Sequence, residues 1–368
     1  MRIAIIGAGA IGCYLGARLA QRGHDILVQG RSEQVAAISA GGLAIRWLDG
    51  RMERQPLRVI TDLRAALDFV PDAILLTVKS QDVAQACAPL ADYACAAPVV
   101  TLQNGVRADD LAAEVVGRDR IVGGVIMIAV AYLRPGEIEA QFPGWLTLGE
   151  PWASGVTPRV FALRGALRDA VPTYVTTDLR AARWSKLIAN LNNGLCAATG
   201  SPLPEIARTP LGRRLSLALM REGAAVARAE GVRLTPERSA LSPDALRGSP
   251  TTALIATLQG FMPALVGALP LPLAEAVIAL TARTRVGRLP VRGSTWQSIA
   301  RGRETEITYL NGEISRLGFQ RGMPTPINDR VTAVVREVAR THEFVSLEAL
   351  ASAPSVPLIP QRAEGGNL

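Results

Sequence analysis

The chain has 368 residues, of which 49% are apolar and 20% charged, with a formal net charge of +8. That balance excludes a disordered chain and allows two domains of ordinary size. The four cysteines (Cys13, Cys87, Cys95, Cys196) form no CxxC pair, and with only His24 and His342 beside them they point to no metal site and to a reducing, cytoplasmic setting. The basic excess is spread along the chain without a dense run or interleaved aromatics, which argues against nucleic acid as a partner.

In chain order, Arg2–Ile6 reads as a buried strand and Ile11–Arg22 as the helix after it. Strands follow at Asp25–Val28, Ala73–Val78, Pro98–Leu102 and Ile121–Ile128, continuous and apolar as a sheet buried on both faces requires. The alternation predicts an α/β N-terminal Rossmann domain, doubly wound with a mostly parallel sheet, over residues 1–175. An all-α C-terminal domain is expected over 176–350, with helices near 180–198, 208–231, 251–268, 272–285, 295–317 and 325–341. Residues 351–368 read as a flexible tail. The uncharged stretch Gly248–Ala274 is long enough to span a bilayer, but Pro250, Gln259, Pro263, Pro270 and Pro272 interrupt it. Region 241–287 is therefore expected to be helical and buried, against its own domain or in a homodimer interface, and no membrane is implied.

Gly7-Ala8-Gly9-Ala10-Ile11-Gly12 places three glycines between the first strand and its helix. The first permits a tight turn, the second lets backbone approach a pyrophosphate, and the third packs helix on strand. The helix N-terminus adds amide donors for the phosphates. At the end of the second strand, where an acid would bind a ribose 2′-hydroxyl, the chain has Gln29-Gly30-Arg31-Ser32. Arg31 can pair with a 2′-phosphate and Ser32 can hydrogen-bond it, so NADP (as NADPH) is the expected cofactor. The plain alternative for Arg31 is a surface arginine.

Two lysines, Lys79 and Lys186, remain among 40 basic residues. A bias toward arginine codons explains the imbalance but not the two survivors. An ammonium can give up a proton where a guanidinium cannot, which makes both lysines candidates for chemistry. Neither histidine is suited to be a proton donor: His24 lies just before the second strand and His342 near the end of the final helix.

Five motifs, in order, carry a family resemblance. They are the glycine turn; Thr77-Val78-Lys79; Gln103-Asn104-Gly105; Trp184-Ser185-Lys186-Leu187-Ile188-Ala189-Asn190; and Ser294-Thr295-Trp296-Gln297 running through Glu306 to Tyr309-Leu310-Asn311-Gly312. With these the chain resembles the ketopantoate reductases (2-dehydropantoate 2-reductases) over most of its length. The resemblance implies NADPH-dependent reduction of a 2-oxo acid, with Lys186 as general acid and Glu306 positioning substrate and cofactor beside it. It further implies substrate contacts from Asn190 and Ser294, and cofactor contacts near the nicotinamide ribose from Lys79 and Asn104. Plainer readings stand beside these: a turn at Asn104-Gly105, a solvated helix carboxylate at Glu306, a helix N-cap at Ser294, a surface lysine at Lys186. The chain departs from the pattern at Gly194, where an asparagine is usual eight residues after the lysine, at Val291, and at Ser298. Those departures leave open whether the substrate is 2-dehydropantoate or another 2-oxo acid. A non-catalytic NADPH sensor is the remaining alternative, and the retained Lys186 and Glu306 speak against it.

Overall fold

The computed structural model describes residues 1–47, 49–91, 96–142, 144–153, 155–234, 266, 269–283 and 293–353. These fall into two compact units, one reaching Arg183 and the other beginning at Trp184.

The first unit runs β1 (Arg2–Ile6), α1 (Ala10–Ala20), β2 (Asp25–Gln29), α2 (Ser32–Gly41), β3 (Leu43–Trp47), β4 (Met52–Gln55), β5 (Val59–Ile60), α3 (Leu63–Asp68), β6 (Ala73–Leu76) and α4 (Val83–Ala91). It continues with β7 (Val99–Thr101), α5 (Ala108–Val116), β8 (Ile121–Ile126), β9 (Ala129–Arg134), β10 (Glu137–Phe142), β11 (Leu146–Gly149), α6 (Pro158–Leu167) and β12 (Thr173–Val175). Eight strands form one sheet in the order β12-β11-β8-β7-β6-β1-β2-β5. Only the β8–β11 pair is antiparallel. The expected mostly parallel, doubly wound sheet is thus observed, with two strands ending two residues earlier than the apolar runs suggested, at Leu76 and Ile126. In β1, Ile3 and Ile5 enter one core and Ala4 and Ile6 the other, because a sheet covered on both faces buries both side-chain sets. Strand order reverses between β1 and β6, and the carboxyl ends flanking that reversal are where open α/β sheets take ligands.

A second sheet, β4-β3-β10-β9, was not anticipated. Its apolar face (Leu43, Ile45, Ile138, Ala140) joins the core formed with Tyr14 and Leu15 of α1. Glu137 is buried in it because Arg46 and Arg134 both bond its carboxylate, at 2.8 and 2.6 Å, which holds that carboxyl below the usual range.

The second unit is helical throughout its described residues. The helix α7 (Leu179–Asn190) begins in the first unit, and α8 (Asn192–Thr199), α9 (Leu203–Arg208), α10 (Pro210–Ala229), α11 (Leu271–Arg283), α12 (Ser294–Ala300), α13 (Asn311–Gln320), α14 (Pro326–Thr341) and α15 (Leu347–Ser352) follow. Not every expectation is met, and one lies mostly outside the described residues. The helix expected over 295–317 is two, α12 and α13, separated by a turn and the 3-10 segment Ile307–Tyr309; Leu310, at φ −113° and ψ −100°, cannot continue a helix. A further short helix, α15, follows the one ending near His342 and reaches into the stretch read as tail, and residues 354–368 lie outside the described residues. Of region 241–287 only 266 and 269–283, which include α11, are described, so the helix expected at 251–268 lies outside them save for one residue.

Buried amides hold this unit together. Asn311 Nδ2 donates to Leu191 O (3.2 Å) and Asn328 Oδ1 (3.0 Å), while Asn328 Nδ2 donates to Glu222 (2.7 Å). Glu222 also accepts from the backbone amides of Ile327 and Asn328, which are among the unsatisfied donors at the start of α14.

Candidate functional site

The glycine turn lies at the carboxyl end of β1, beside the strand-order reversal. Gly7 has φ +114°, and a Cβ there would come within 2.7 Å of Val78 N, so only glycine fits both the conformation and the approach of β6's end. A Cβ at Gly12 would lie 2.1 Å from Gly7 O. That carbonyl is fixed by Thr77, whose hydroxyl donates to it at 2.7 Å and to Ile6 O at 3.1 Å. Gly9 is different: a Cβ there would meet no atom of the described residues within 4 Å. It is the exposed N-cap of α1, without a side-chain cap and with no acid in the first turn. Neighbouring protein therefore does not demand glycine at position 9, whereas close approach of a phosphate to the backbone does. Ala8 is buried, Ala10 opens α1, and Ile11 is half-buried. A Cβ on Gly30 would fall 2.4 Å from the Ala8 methyl, so the end of β2 packs directly on the turn. Arg31 caps α2 with its side chain exposed, and Ser32 begins the helix, also exposed.

Lys79 and Asn104 follow the carboxyl ends of β6 and β7, and both are half-buried. The residues between them explain how they are placed. Gln103 is buried, and its amide donates to Leu76 O (3.0 Å) and Val78 O (3.1 Å), satisfying carbonyls where the β6 ladder ends. Ser80 donates to Asn104 O at 3.0 Å. The Gln-Asn-Gly motif is thus a clasp between two strand ends as well as a turn.

Arg183, which sequence reasoning missed, anchors this clasp. Its guanidinium is 4% exposed and donates to Gln103 O and Thr101 O (3.2 Å each), to the Thr101 hydroxyl (2.9 Å) and to Asp109 Oδ1 (2.6 Å). Its Nε lies 2.6 Å from Asp109 Oδ2, and Thr101 donates to the same carboxylate. A buried charge pair persists only when its lone pairs and protons are used in this way. The thiols nearby have no such activation: burial pushes Cys13 up to about 12 and Cys87 to about 11.

In the second unit, α7 and α8 are buried from Trp184 to Ala198 except at Lys186, Ala189, Asn190 and Asn193. Those four positions are one stripe of a helix. Lys186 and Asn190 share it one turn apart, which removes the reading of Lys186 as an ordinary surface lysine. Glu306 is 7% exposed, at the start of the 3-10 segment and on no helix, so it is not a solvated helix carboxylate. Ser294 is not an N-cap: Gly293 occupies that position, and Ser294, half-buried, is the first helical residue. Its carbonyl accepts from the Ser298 hydroxyl at 3.0 Å, so the serine that replaces an aspartate is turned into its own helix. Gly194 faces inward, where a Cβ would lie 2.5 Å from Val331 and 2.7 Å from Asn311 Oδ1. Val291 lies outside the described residues.

A glycine turn at the strand-order reversal of a mostly parallel sheet is the arrangement of a dinucleotide-binding Rossmann domain, followed here by a helical unit. Residues 3–152 match the family model described as ketopantoate reductase PanE/ApbA, and 178–339 match its C-terminal model. The chain belongs to the ketopantoate reductase family, whose members are oxidoreductases acting on a CH–OH group. A PanE/ApbA family ketopantoate reductase from Ralstonia eutropha JMP134 is 30% identical, with 92% of this chain and 99% of that one covered and a TM-score of 0.72. The 2-dehydropantoate 2-reductase of Mesorhizobium japonicum is 29% identical over 92% of this chain and 98% of its own length. D-Mandelate dehydrogenase, solved with NADH and anilino(oxo)acetate, shares the fold at 23% identity and a TM-score of 0.73, covering 93% of this chain and 99% of that one.

Proposed function

We propose that this chain reduces a 2-oxo acid with NADPH, its substrate being 2-dehydropantoate and its product pantoate. The observation that carries the reading is the partly exposed stripe on α7, where one of only two lysines in the chain is retained one turn before Asn190, with Trp184, Ser185, Leu187 and Ile188 around it buried. The glycine turn, Lys79 and Asn104 would hold the dinucleotide, and Gly9's open surroundings fit a phosphate against the backbone. When bound, the reduced nicotinamide supplies the hydride. The Lys186 ammonium donates a proton to the carbonyl oxygen of the substrate, and the resulting amine recovers one from water. Asn190 and Ser294 bind the substrate through neutral hydrogen bonds, and the buried carboxylate of Glu306 orients substrate and cofactor near the lysine. Arg31 and Ser32 select the 2′-phosphate, because no acid stands at the end of β2. The free thiols described are all buried, in keeping with a cytoplasmic enzyme, and no helix among the described residues is long and apolar enough to cross a membrane.

A second reading, reduction of a different 2-oxo acid, is favoured by Gly194 and Ser298, which are both turned into the protein in this chain. A panel of 2-oxo acids assayed by loss of NADPH absorbance separates the two. The expected result is highest kcat/KM with 2-dehydropantoate; a better substrate elsewhere in the panel moves the assignment to that acid. No turnover with any member would sink both readings.

A further inference from the structure

One buried charge pair in the first unit takes no part in the proposed chemistry. Arg183 and Asp109 are both enclosed, and Gly123 of β8 leaves them their space: a Cβ there would fall 3.1 Å from the Asp109 carboxylate and 3.3 Å from the guanidinium. An ion pair taken out of water stabilises no better than apolar packing of similar volume. What it supplies that apolar packing cannot is directed donors. The ladder between β7 and β8 ends at Thr101, paired with Gly123. There the guanidinium takes over, donating to Thr101 O and to Gln103 O two residues further on. Its donors form a rigid planar fork, so two carbonyls held by it are fixed relative to each other. Asp109, bonded to the same fork at 2.6 Å, keeps it from turning.

The carbonyl of Gln103 belongs to the peptide unit that precedes the Cα of Asn104. The carbonyl of Asn104 belongs to the unit that follows it, and it accepts from the buried Ser80 hydroxyl at 3.0 Å. Because each peptide unit is planar, the two flanking units define φ and ψ at the residue between them. With one unit held by Arg183 and the other by Ser80, both angles are set at Asn104. The direction in which its side chain leaves the backbone is set with them. Gly105 behind it, at φ +87°, is the most permissive kind of joint and adds no stiffness of its own.

We infer that Arg183 and Ser80 are positioning residues of the cofactor site, which aim the Asn104 carboxamide at a bound dinucleotide. This rests on the reading of Asn104 as a contact near the nicotinamide ribose. Arg183 is 4% exposed and Ser80 2%, so both act through Asn104 and touch no ligand themselves. The consequence is selective. Loosening either clamp weakens the grip on the nicotinamide half of the cofactor and leaves the adenine half, at the glycine turn and Arg31, as it was.

Calorimetric titration of NADPH and of 2′-phospho-ADP, which lacks the nicotinamide and its ribose, separates the two halves. Ser80→Ala removes one clamp at the cost of a single oxygen atom. Arg183→Lys keeps the charge beside Asp109 but not the fork. Each should weaken NADPH binding about three- to tenfold, the worth of one hydrogen bond, and leave 2′-phospho-ADP within about twofold of wild type. Asn104→Ala is the reference and should lose at least as much, with the same selectivity. An equal loss on both ligands in the clamp variants would make the pair a packing element of the domain and overturn the inference. Unchanged NADPH affinity in either variant, with the selective loss present in Asn104→Ala, strikes that residue from the role. Ser80→Ala leaves the charge pair intact and decides the matter if Arg183→Lys does not fold. No selective loss in Asn104→Ala itself overturns the reading of Asn104 as a cofactor contact, an outcome seen in the reference variant and separate from the others.

Discussion

The glycine turn after β1 and the polar stripe of α7 and α8 are both short and contiguous, but they are made of different materials. In the turn the working parts are backbone amides and missing side chains: Gly7 and Gly12 are glycines because another part of the chain already fills the space a Cβ would need. On the stripe the partly exposed polar groups are an ammonium and two carboxamides, on a helical path whose other residues from Trp184 to Ala198, Ala189 aside, are buried. A backbone site tolerates almost no variation and reads the part of a ligand that never changes, its phosphates. A side-chain site can be altered one residue at a time, and this chain has done so at Gly194 and Ser298 while keeping Lys186 and Asn190.

If the division holds, the largest single effect belongs to the stripe. Lys186→Arg keeps the charge and removes the transferable proton, so kcat should fall about 10²- to 10⁴-fold. NADPH affinity, measured by fluorescence titration, should barely move. Near wild-type turnover would leave Lys186 as an electrostatic anchor and assign the proton to water.

A test of comparable size addresses the buried charge pair beside the strand end at Gln103. Asp109→Ala leaves the Arg183 guanidinium buried beside strand-end carbonyls with its counter-charge gone. Breaking a buried pair in this way costs about 3–5 kcal/mol, so the denaturation midpoint should drop accordingly. If stability is unchanged, the clasp at Gln103 is held by its own amide bonds and Arg183 is dispensable.

The smallest effect is expected at the exposed rim. Arg31→Ala should narrow the preference for NADPH over NADH by about tenfold, the worth of one charge-assisted contact, with little change in kcat at saturating cofactor. Equal affinity for the two cofactors in the wild type would refute NADP selection altogether.

The glycine turn was legible in the sequence because everything that explains it is local: a strand, a turn and a helix within a dozen residues. That Lys186 and Asn190 share a helix face was legible for a similar reason, their spacing being that of one helix turn. What escaped was non-local. Glu137 and Arg46 are paired across 91 positions, and nothing in Glu-Ile-Glu-Ala-Gln-Phe announces which strand it joins, so the second sheet went unread. Arg183 and Asp109 are 74 positions apart, and in a chain so rich in arginine no composition signal singles out the buried one. Its setting, directly after Ala181-Ala182 and before Trp184 in an enclosed helix, was the available hint. The break between α12 and α13 had one local sign, Gly302 at φ +59° just past the end of α12, but the polar residues of Arg301–Glu306 suit a solvated helix face equally well and masked it.

The contact between Gly30 and Ala8 constrains how this lineage can change cofactor. An NAD-type site wants a carboxylate at the end of β2, and position 30 is the nearest place for it. Any side chain there would begin 2.4 Å from the Ala8 methyl, inside the glycine turn. Drift toward NADH by that route needs Ala8 to become glycine before Gly30 becomes acidic, an ordered pair of steps whose reverse order passes through a damaged turn. Positions 31 and 32, exposed and unconstrained, allow the same change in single steps. The packing of one methyl group thus channels the ancestry of cofactor choice to two residues on the surface.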